Sequence, residues 1–354
     1  MDLEFTTDQI ELRDNARSVL AGACPPSLVR AVFEDEGGAA VDKLWAVLVE
    51  LGWPAIGVPE ADGGLGLSFV ETGLVVEELA RVVAPSPFVA TVTQFAPLIR
   101  ECGGDGDWLA RVAEGAITAT ASFANTVEAT RAANGFVLDG EARMVMDGAT
   151  ADEIAVVSGD HVFVVPQHAV HSTPFRTIDP TLPLAHLRFD NVEVSGERVI
   201  SDVPREVDRA RDESVTAMAL SIVGTCRVIF ETTLEYAKVR EQFGKPIGSF
   251  QALKHRFAKM YLELEKASSL AYFAALTIAE DDDRRTLAAS IAKAQASECQ
   301  RLLVTDGLQL HGGIGFTWEN DLHFWLKRAK SADFLFGTGP FHRARIAQLI
   351  GLAS

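Results

Sequence analysis

Two glycine clusters, Gly63-Gly64-Leu65-Gly66 and Gly312-Gly313-Ile314-Gly315, are the first residues whose type could do chemistry. Glycine lets backbone N–H groups approach a phosphate closely, so each cluster invites a nucleotide reading. Neither has the G-x-G-x-x-G spacing, and neither lies between a strand and a helix of a βαβ unit, which excludes a Rossmann fingerprint. Taken alone, each is a loop. Two longer segments carry more. Arg240-Glu241-Gln242-Phe243-Gly244-Lys245-Pro246-Ile247-Gly248-Ser249-Phe250-Gln251 joins one long helical stretch to the next, and Gln309-Leu310-His311-Gly312-Gly313-Ile314-Gly315-Phe316 ends another. By itself, Arg240 complements the C-terminal dipole of its helix and Phe243 is ordinary core. The chain has no HExxH, GxSxG or P-loop. Its eight histidines show no metal-ligand spacing, so no metal site is expected. The four cysteines, Cys24, Cys102, Cys226 and Cys299, form no CxxC pair, which argues against a disulfide scaffold and suits a reducing cytoplasm.

The elements that must hold these segments fall into three blocks. Residues 1–115 read as helical: Thr6-Thr7-Asp8-Gln9 and Ser68-Phe69-Val70-Glu71 resemble capping boxes ahead of apolar runs, with a loop from Gly57 to Gly66 between them. Residues 116–203 change period. The runs Thr118–Phe123, Gly135–Leu138, Glu153–Val157, His161–Val165 and Leu187–Phe189 are β-branched and separated by turn residues, as in an antiparallel sheet or barrel. Residues 204–354 return to long helices, with Gly224 the interior breaker of the first, Gly244 to Gly248 its stop, and Asp281-Asp282-Asp283 a turn before the third. The expected class is α+β, with a β domain between an N-terminal helical domain and a C-terminal domain of the four-helix-bundle type.

Composition narrows the partners. With 48% apolar residues the 354-residue chain can bury a sizeable core. Its net charge of −17 makes nucleic acid and anionic membrane poor partners, so an anionic ligand needs local arginines or backbone amides. No segment has 18 unbroken apolar residues, and Met1-Asp2-Leu3-Glu4 lacks the start of a signal peptide. A cytoplasmic protein is expected.

Three separated motifs, Gly57-Val58-Pro59-Glu60…Gly63-Gly64-Leu65-Gly66, Arg240 to Gln251 and Gln309 to Phe316, resemble in order and spacing the signatures of the acyl-CoA dehydrogenase family. The helix–strand–helix order matches too, so the resemblance covers essentially the whole chain. It implies FAD as cofactor, an acyl-CoA thioester as substrate, a carboxylate base for the α-proton and an electron-transfer flavoprotein as acceptor. A thioester α-proton is weakly acidic, so such a base works in a dry site. In the family, FAD lies at a subunit interface. The resemblance makes Arg240 the pyrophosphate arginine reaching into a neighbouring subunit's site. Gln242, Phe243 and Gln251 would line the adenosine, and Gln309, Leu310, His311, Gly312 and Gly313 would run beside the diphosphate.

The residues expected around a chain's own flavin ring are altered. Where the family has a Thr-Glu-Pro-x-Ala-Gly-Ser-Asp-like loop, this chain has Thr120-Ala121-Ser122-Phe123-Ala124-Asn125-Thr126-Val127-Glu128 and a short connection to Gly135. Met144 and Met146 stand at the positions of the family's flavin-contacting Trp and Thr. Phe336, in Leu335-Phe336-Gly337-Thr338, stands at the usual glutamate position. Some members place the base at the start of the first long C-terminal helix, a position that falls on Ser214 here. Glu213, one residue earlier, is about 100° away around the helix and also reads as an N-terminal-turn carboxylate favoured by the dipole. The closest likeness is to the non-catalytic subunit of heterotetrameric α2β2 actinobacterial acyl-CoA dehydrogenases that degrade steroids. It implies a second acyl-CoA-dehydrogenase-like subunit carrying the glutamate, and a bulky, cholesterol-derived CoA ester as substrate. Two alternatives stand beside it: a homotetrameric acyl-CoA dehydrogenase with Glu213 as base, and a flavin-free scaffold homologue.

Overall fold

Thr6 opens the first helix as its residue type and spacing predict: its Oγ1 accepts from Gln9 N at 3.2 Å, and Gln9 Oε1 accepts from Thr6 N at 3.0 Å. The computed structural model describes residues 4–352 apart from 105 and 125. The Met1-Asp2-Leu3 part of the signal-peptide reading and Asn125 of the altered loop therefore lie outside the described residues. The helices before the strands are α1 (Thr7–Ala23), α2 (Pro26–Phe33), α3 (Gly38–Glu50), α4 (Phe69–Arg81), the short α5 (Phe88–Ala90), α6 (Ala96–Cys102) and α7 (Trp108–Ala113). A five-residue π-helical turn, Thr91–Phe95, joins α5 to α6. Ser68 caps α4, accepting from Val70 N at 3.1 Å and donating to the Glu71 carboxylate. The Gly57–Gly66 loop contains one short 3-10 turn, Glu60–Asp62, that its glycines do not predict.

Among the described residues eight strands follow: β1 (Ala119–Ser122), β2 (Val127–Ala132), β3 (Gly135–Met146), β4 (Glu153–Ser158), β5 (His161–Pro166), β6 (His171–Phe175), β7 (Leu184–Ser195) and β8 (Val199–Ser201). They form two four-stranded sheets, ordered β1-β4-β5-β8 and β2-β3-β7-β6. The β1–β4 pairing is parallel, a departure from the antiparallel expectation, because the chain crosses through the other sheet before β4 returns beside β1. The stretch read as a short connection after Phe123 holds β2, paired antiparallel with β3.

The C-terminal elements are α8 (Pro204–Val239), the two-residue strands β9 (Glu241–Gln242) and β10 (Lys245–Pro246), α9 (Gln251–Ala279), α10 (Arg285–His311), α11 (Leu322–Phe334) and α12 (Gly339–Leu349). Two compact units result. One comprises Met1–Ala31, Gly73–Ala84 and Val215–Ser354; the other comprises Val32–Thr72 and Pro85–Ser214. Within the first, α10 packs against α9, α11 and α12. Gly224 lets α8 approach α4, since a Cβ there would sit 2.3 Å from the carbonyl oxygen of Glu77. By length and composition α8 is apolar enough to cross a membrane, but 72% of its apolar window is buried inside the protein, as in a core helix. Within the second unit, β5 shows the period of two that a doubly covered strand requires. Val162 and Val164 join a core cluster with Leu98, Ile99 and Val112, while Phe163 and Val165 join one with Leu138 and Leu187.

Candidate active site

The segment after α8 is a small hairpin. Arg240 N donates to Tyr236 O at 2.9 Å as the last helical bond, and Ile247 N donates to Arg240 O at 2.8 Å, closing the loop. Between them β9 and β10 pair antiparallel. The turn needs positive φ at two residues, Phe243 (φ 53°) and Gly244 (φ 76°). Glycine adopts that conformation freely; phenylalanine is strained in it. The strain presents an aromatic ring to solvent: Phe243 is 92% exposed, edge-on to Phe250 with centroids 6.1 Å apart. Lys245 Nζ lies 4.5 Å from the Phe250 ring centroid. Phe243 is thus not core, a correction to its plainest sequence reading. Arg240 is exposed and makes no side-chain hydrogen bond or ion pair among the described residues. The Gln242 amide donates to Glu241 O at 2.8 Å, and the exposed Gln251 amide meets His255 Nε2 at 3.2 Å.

The second motif ends α10. Leu310 and His311 are buried, while Gln309, Gly312 and Gly313 are exposed. His311 Nδ1 donates to Gly307 O at 2.9 Å, and burial holds the imidazole pKa below its ordinary value. Gly312 sits at φ 62°, ψ −143°, a region reserved for glycine. A Cβ on Gly312 or Gly313 would meet nothing within 4 Å, so the backbone there lies open to an incoming group. The two motifs are joined by a contact that sequence reasoning missed. Tyr236 stacks on His311, ring centroids 4.6 Å apart and planes 17° from parallel. Tyr236 lies four residues before Arg240 near the end of α8, and no local signal marks it, because the stack joins two helices distant in sequence.

Of the residues expected on the flavin-ring side, Met144, Met146, Glu213 and Ser214 belong to the second unit and Phe336 to the first. Register shifts between Ala142 and Val145 bulge β3. Met144 in that bulge is 54% exposed at φ 55°. Met146 is buried: Gln94 Nε2, from the π-helical turn, contacts its Sδ at 3.5 Å, and its carbonyl accepts from Thr120 Oγ1 at 2.6 Å. A cavity of about 450 Å³ in this unit is lined, among the described residues, by Ala124, Thr126, Glu141 and Arg143, and by neither methionine. Glu213 is 2% exposed and ion-paired with Arg100, which also donates to Gly57 O at 3.1 Å and to Glu101 at 3.1 Å. Because α8 begins at Pro204, Glu213 lies more than two turns inside the helix; the N-terminal-turn reading is corrected. Ser214 donates to Thr93 O at 2.9 Å. Phe336 is half-buried in the turn between α11 and α12, with φ 57°.

Comparison with known proteins places the chain. Residues 6–116 match the acyl-CoA dehydrogenase N-terminal domain, and residues 212–351 match the acyl-CoA dehydrogenase C-terminal domain. Acyl-CoA dehydrogenase IpdE2 of Mycobacterium tuberculosis is 32% identical over 320 residues, covering 90% of this chain and 89% of the relative. The chain belongs to the acyl-CoA dehydrogenase family. Acyl-CoA dehydrogenase FadE34 of Mycobacterium tuberculosis is 33% identical over 353 residues; the alignment covers 94% of this chain, which spans 46% of that relative's length. Among solved structures, the Tcur3481-Tcur3483 steroid ACAD, in a G363A variant, superposes with a TM-score of 0.88 at 27% identity over 97% of each chain. The family uses FAD. The hairpin and the end of α10 fit that group: an exposed guanidinium without a side-chain partner among the described residues, a projecting aromatic ring and an open glycine backbone suit phosphate oxygens and a stacked base.

Proposed function

We propose that this chain is one subunit of an FAD-dependent acyl-CoA dehydrogenase, the partner of a second acyl-CoA-dehydrogenase-like chain that carries the catalytic glutamate. In this reading the assembly is a cytoplasmic α2β2 heterotetramer, and this chain closes the partner's FAD site from across the interface. The acyl group is bulky and steroid-derived, a choice supported by the likeness to the Tcur3481-Tcur3483 steroid ACAD. An electron-transfer flavoprotein serves as acceptor.

The observation that carries the reading is an asymmetry. The clasp made by Arg240, Phe243, Gly312 and Gly313 is exposed and drawn together through Tyr236 and His311. The residues expected to meet a flavin ring in cis are replaced, and Met146 is turned inward beneath Gln94. A homomer without FAD would have no use for the clasp; a heteromer does.

When bound, FAD supplies the two-electron redox chemistry of α,β-desaturation. The residues of this chain bind and orient. Arg240 offers a planar fork to diphosphate oxygens. Gln242, Phe243 and Gln251 line the adenosine, and Gln309 to Gly313 leave backbone open beside the diphosphate. Phenylalanine holds no exchangeable proton, so with Phe336 at the base position α-proton removal falls to the partner's carboxylate.

Co-expression tests the reading. The chain purified alone is expected to be colourless and inactive, and co-purified with its partner to give a yellow, active complex with one FAD per two chains. A stable yellow homotetramer of this chain with dehydrogenase activity would overturn it.

A further inference from the structure

The Leu335–Thr338 turn between α11 and α12 is gripped by groups that are rarely buried. Lys293 of α10 is 0% exposed, and its Nζ donates to the carbonyl oxygens of Asp333 and Gly337, both at 2.8 Å. The Asp333 carboxylate accepts from Ser297 Oγ and, at 3.1 Å, from Gln300 Nε2. His342 of α12 is also 0% exposed, with Nε2 2.9 Å from Phe336 O. A carbonyl can only accept, so Nε2 carries the proton. Burial lowers the Lys293 pKa to about 8 against the opposing charge of Asp333, and lowers the His342 pKa to about 4, which keeps that imidazole neutral. Three carbonyls, those of Asp333, Phe336 and Gly337, are therefore tied to two buried side chains.

The residue these bonds surround is strained. Phe336 sits at φ 57°, where a bulky side chain is a genuine outlier that persists only when its surroundings over-determine it. Gly337, at φ 100°, leaves no alternative beside it, since a Cβ there would lie 2.4 Å from the Phe341 ring. A plain helix–helix connection needs neither a buried lysine nor a strained phenylalanine.

We propose that Lys293 and His342 are positioning residues that clamp this turn and force Phe336 into its left-handed conformation, making position 336 a rigid apolar wall where the family carries its base. The placing of that wall at a substrate site rests on the proposed subunit reading; the clamp does not.

The test is a double-substitution cycle on the purified full-length chain, alone and with its partner, read by amide hydrogen exchange and thermal unfolding. Lys293→Met keeps chain length and removes the donors. It is expected to speed exchange of the His342 amide, which donates to Thr338 O at 3.1 Å across the end of the turn, roughly tenfold, with the amides of α8 unchanged. Phe336→Gly is expected to raise the unfolding midpoint by roughly 2 °C in the native background and to leave it unmoved in Lys293→Met, where nothing enforces the strained conformer. His342→Gln, which retains an N–H donor, should keep exchange slow, whereas His342→Leu should release it and serves for the cycle if Lys293→Met does not fold. Additive effects of Phe336→Gly in both backgrounds, or slow exchange of the turn in the donor-free variants, would overturn the clamp. Flavin content of the same samples reports on the subunit reading alone.

Discussion

The ring of Tyr236 lies 4.6 Å from that of His311, tilted by 17°, and this stack ties the end of α8 to the end of α10. Each residue belongs to one half of the proposed FAD clasp. Tyr236 O receives the last helical hydrogen bond, from Arg240, and His311 immediately precedes the glycine pair whose backbone lies open. The stack therefore fixes the end of α8, where Arg240 follows, beside the end of α10, where the open glycine backbone begins, and the proposed clasp would offer both to a diphosphate.

Tyr236→Leu keeps much of the buried area and removes the aromatic face. The expected loss is about 0.5–1.5 kcal/mol of stability, the range for an aromatic pair. Flavin retention in the purified complex should fall by more than the unfolding midpoint implies, because the motifs lose their register. Equilibrium dialysis of FAD against the complex, alongside thermal unfolding, separates the two effects.

Arg240→Ala should do the reverse. The side chain is exposed and unpaired among the described residues, so folding is expected to change by less than about 0.5 kcal/mol. FAD retention should weaken by roughly 1.5–3 kcal/mol, the range for a charged hydrogen bond. Retention equal to wild type would remove Arg240 from the clasp.

Much of this arrangement was legible in the sequence, and the gaps have physical causes. The Thr6–Gln9 capping box and the turn at Asp281 to Asp283 follow from local hydrogen bonding and backbone preference, which a sequence states directly. Strands β2 and β6 escaped notice because each flanks its sheet with mostly exposed residues, so no apolar alternation marks them, and Pro174 interrupts β6. The parallel β1–β4 pairing is non-local and leaves no trace in either strand. Arg240, Gln242, Phe243 and the glycine pair were readable as a motif, but Tyr236 was not, since a stack across two helices is a tertiary fact. Lys293 carries no sequence signal for the same reason, since the turn it serves is brought to it only by the fold.

Acid should test His342. Its folded-state pKa, lowered to about 4 by burial, lies below the ordinary value of 6.5. Between those values the unfolded chain holds a proton that the folded chain does not, so stability rises with pH across that window and is lost as pH falls from 6.5 through 4. The full contribution is roughly 3 kcal/mol at most. His342→Gln, which cannot titrate, should reduce the slope of the stability profile between pH 4 and 6.5, to which His311 and His323 also contribute, while leaving the profile above pH 7 intact. Urea unfolding midpoints across that range measure it. An unchanged acid limb would assign the acid sensitivity to other groups.

Glu213 separates the subunit reading from its homomeric rival most sharply. As a base it would need a free, desolvated carboxylate. Instead it is 2% exposed and ion-paired with Arg100, whose guanidinium also serves Gly57 O and Glu101. Glu213→Gln leaves Arg100 short of a charge partner in a buried setting, where breaking a pair costs about 3–5 kcal/mol in general. The retained amide and the remaining Glu101 contact should hold the loss nearer 1–3 kcal/mol, the scale of a weakened buried hydrogen bond. Stability should therefore fall clearly, while turnover per intact, flavin-loaded complex stays within about twofold of wild type, because no proton passes through Glu213. Loss of turnover by several orders of magnitude at full flavin content would make Glu213 the base and return catalysis to this chain. A destabilised complex with unchanged turnover would leave its carboxylate what the geometry makes it, the buried counter-ion of Arg100.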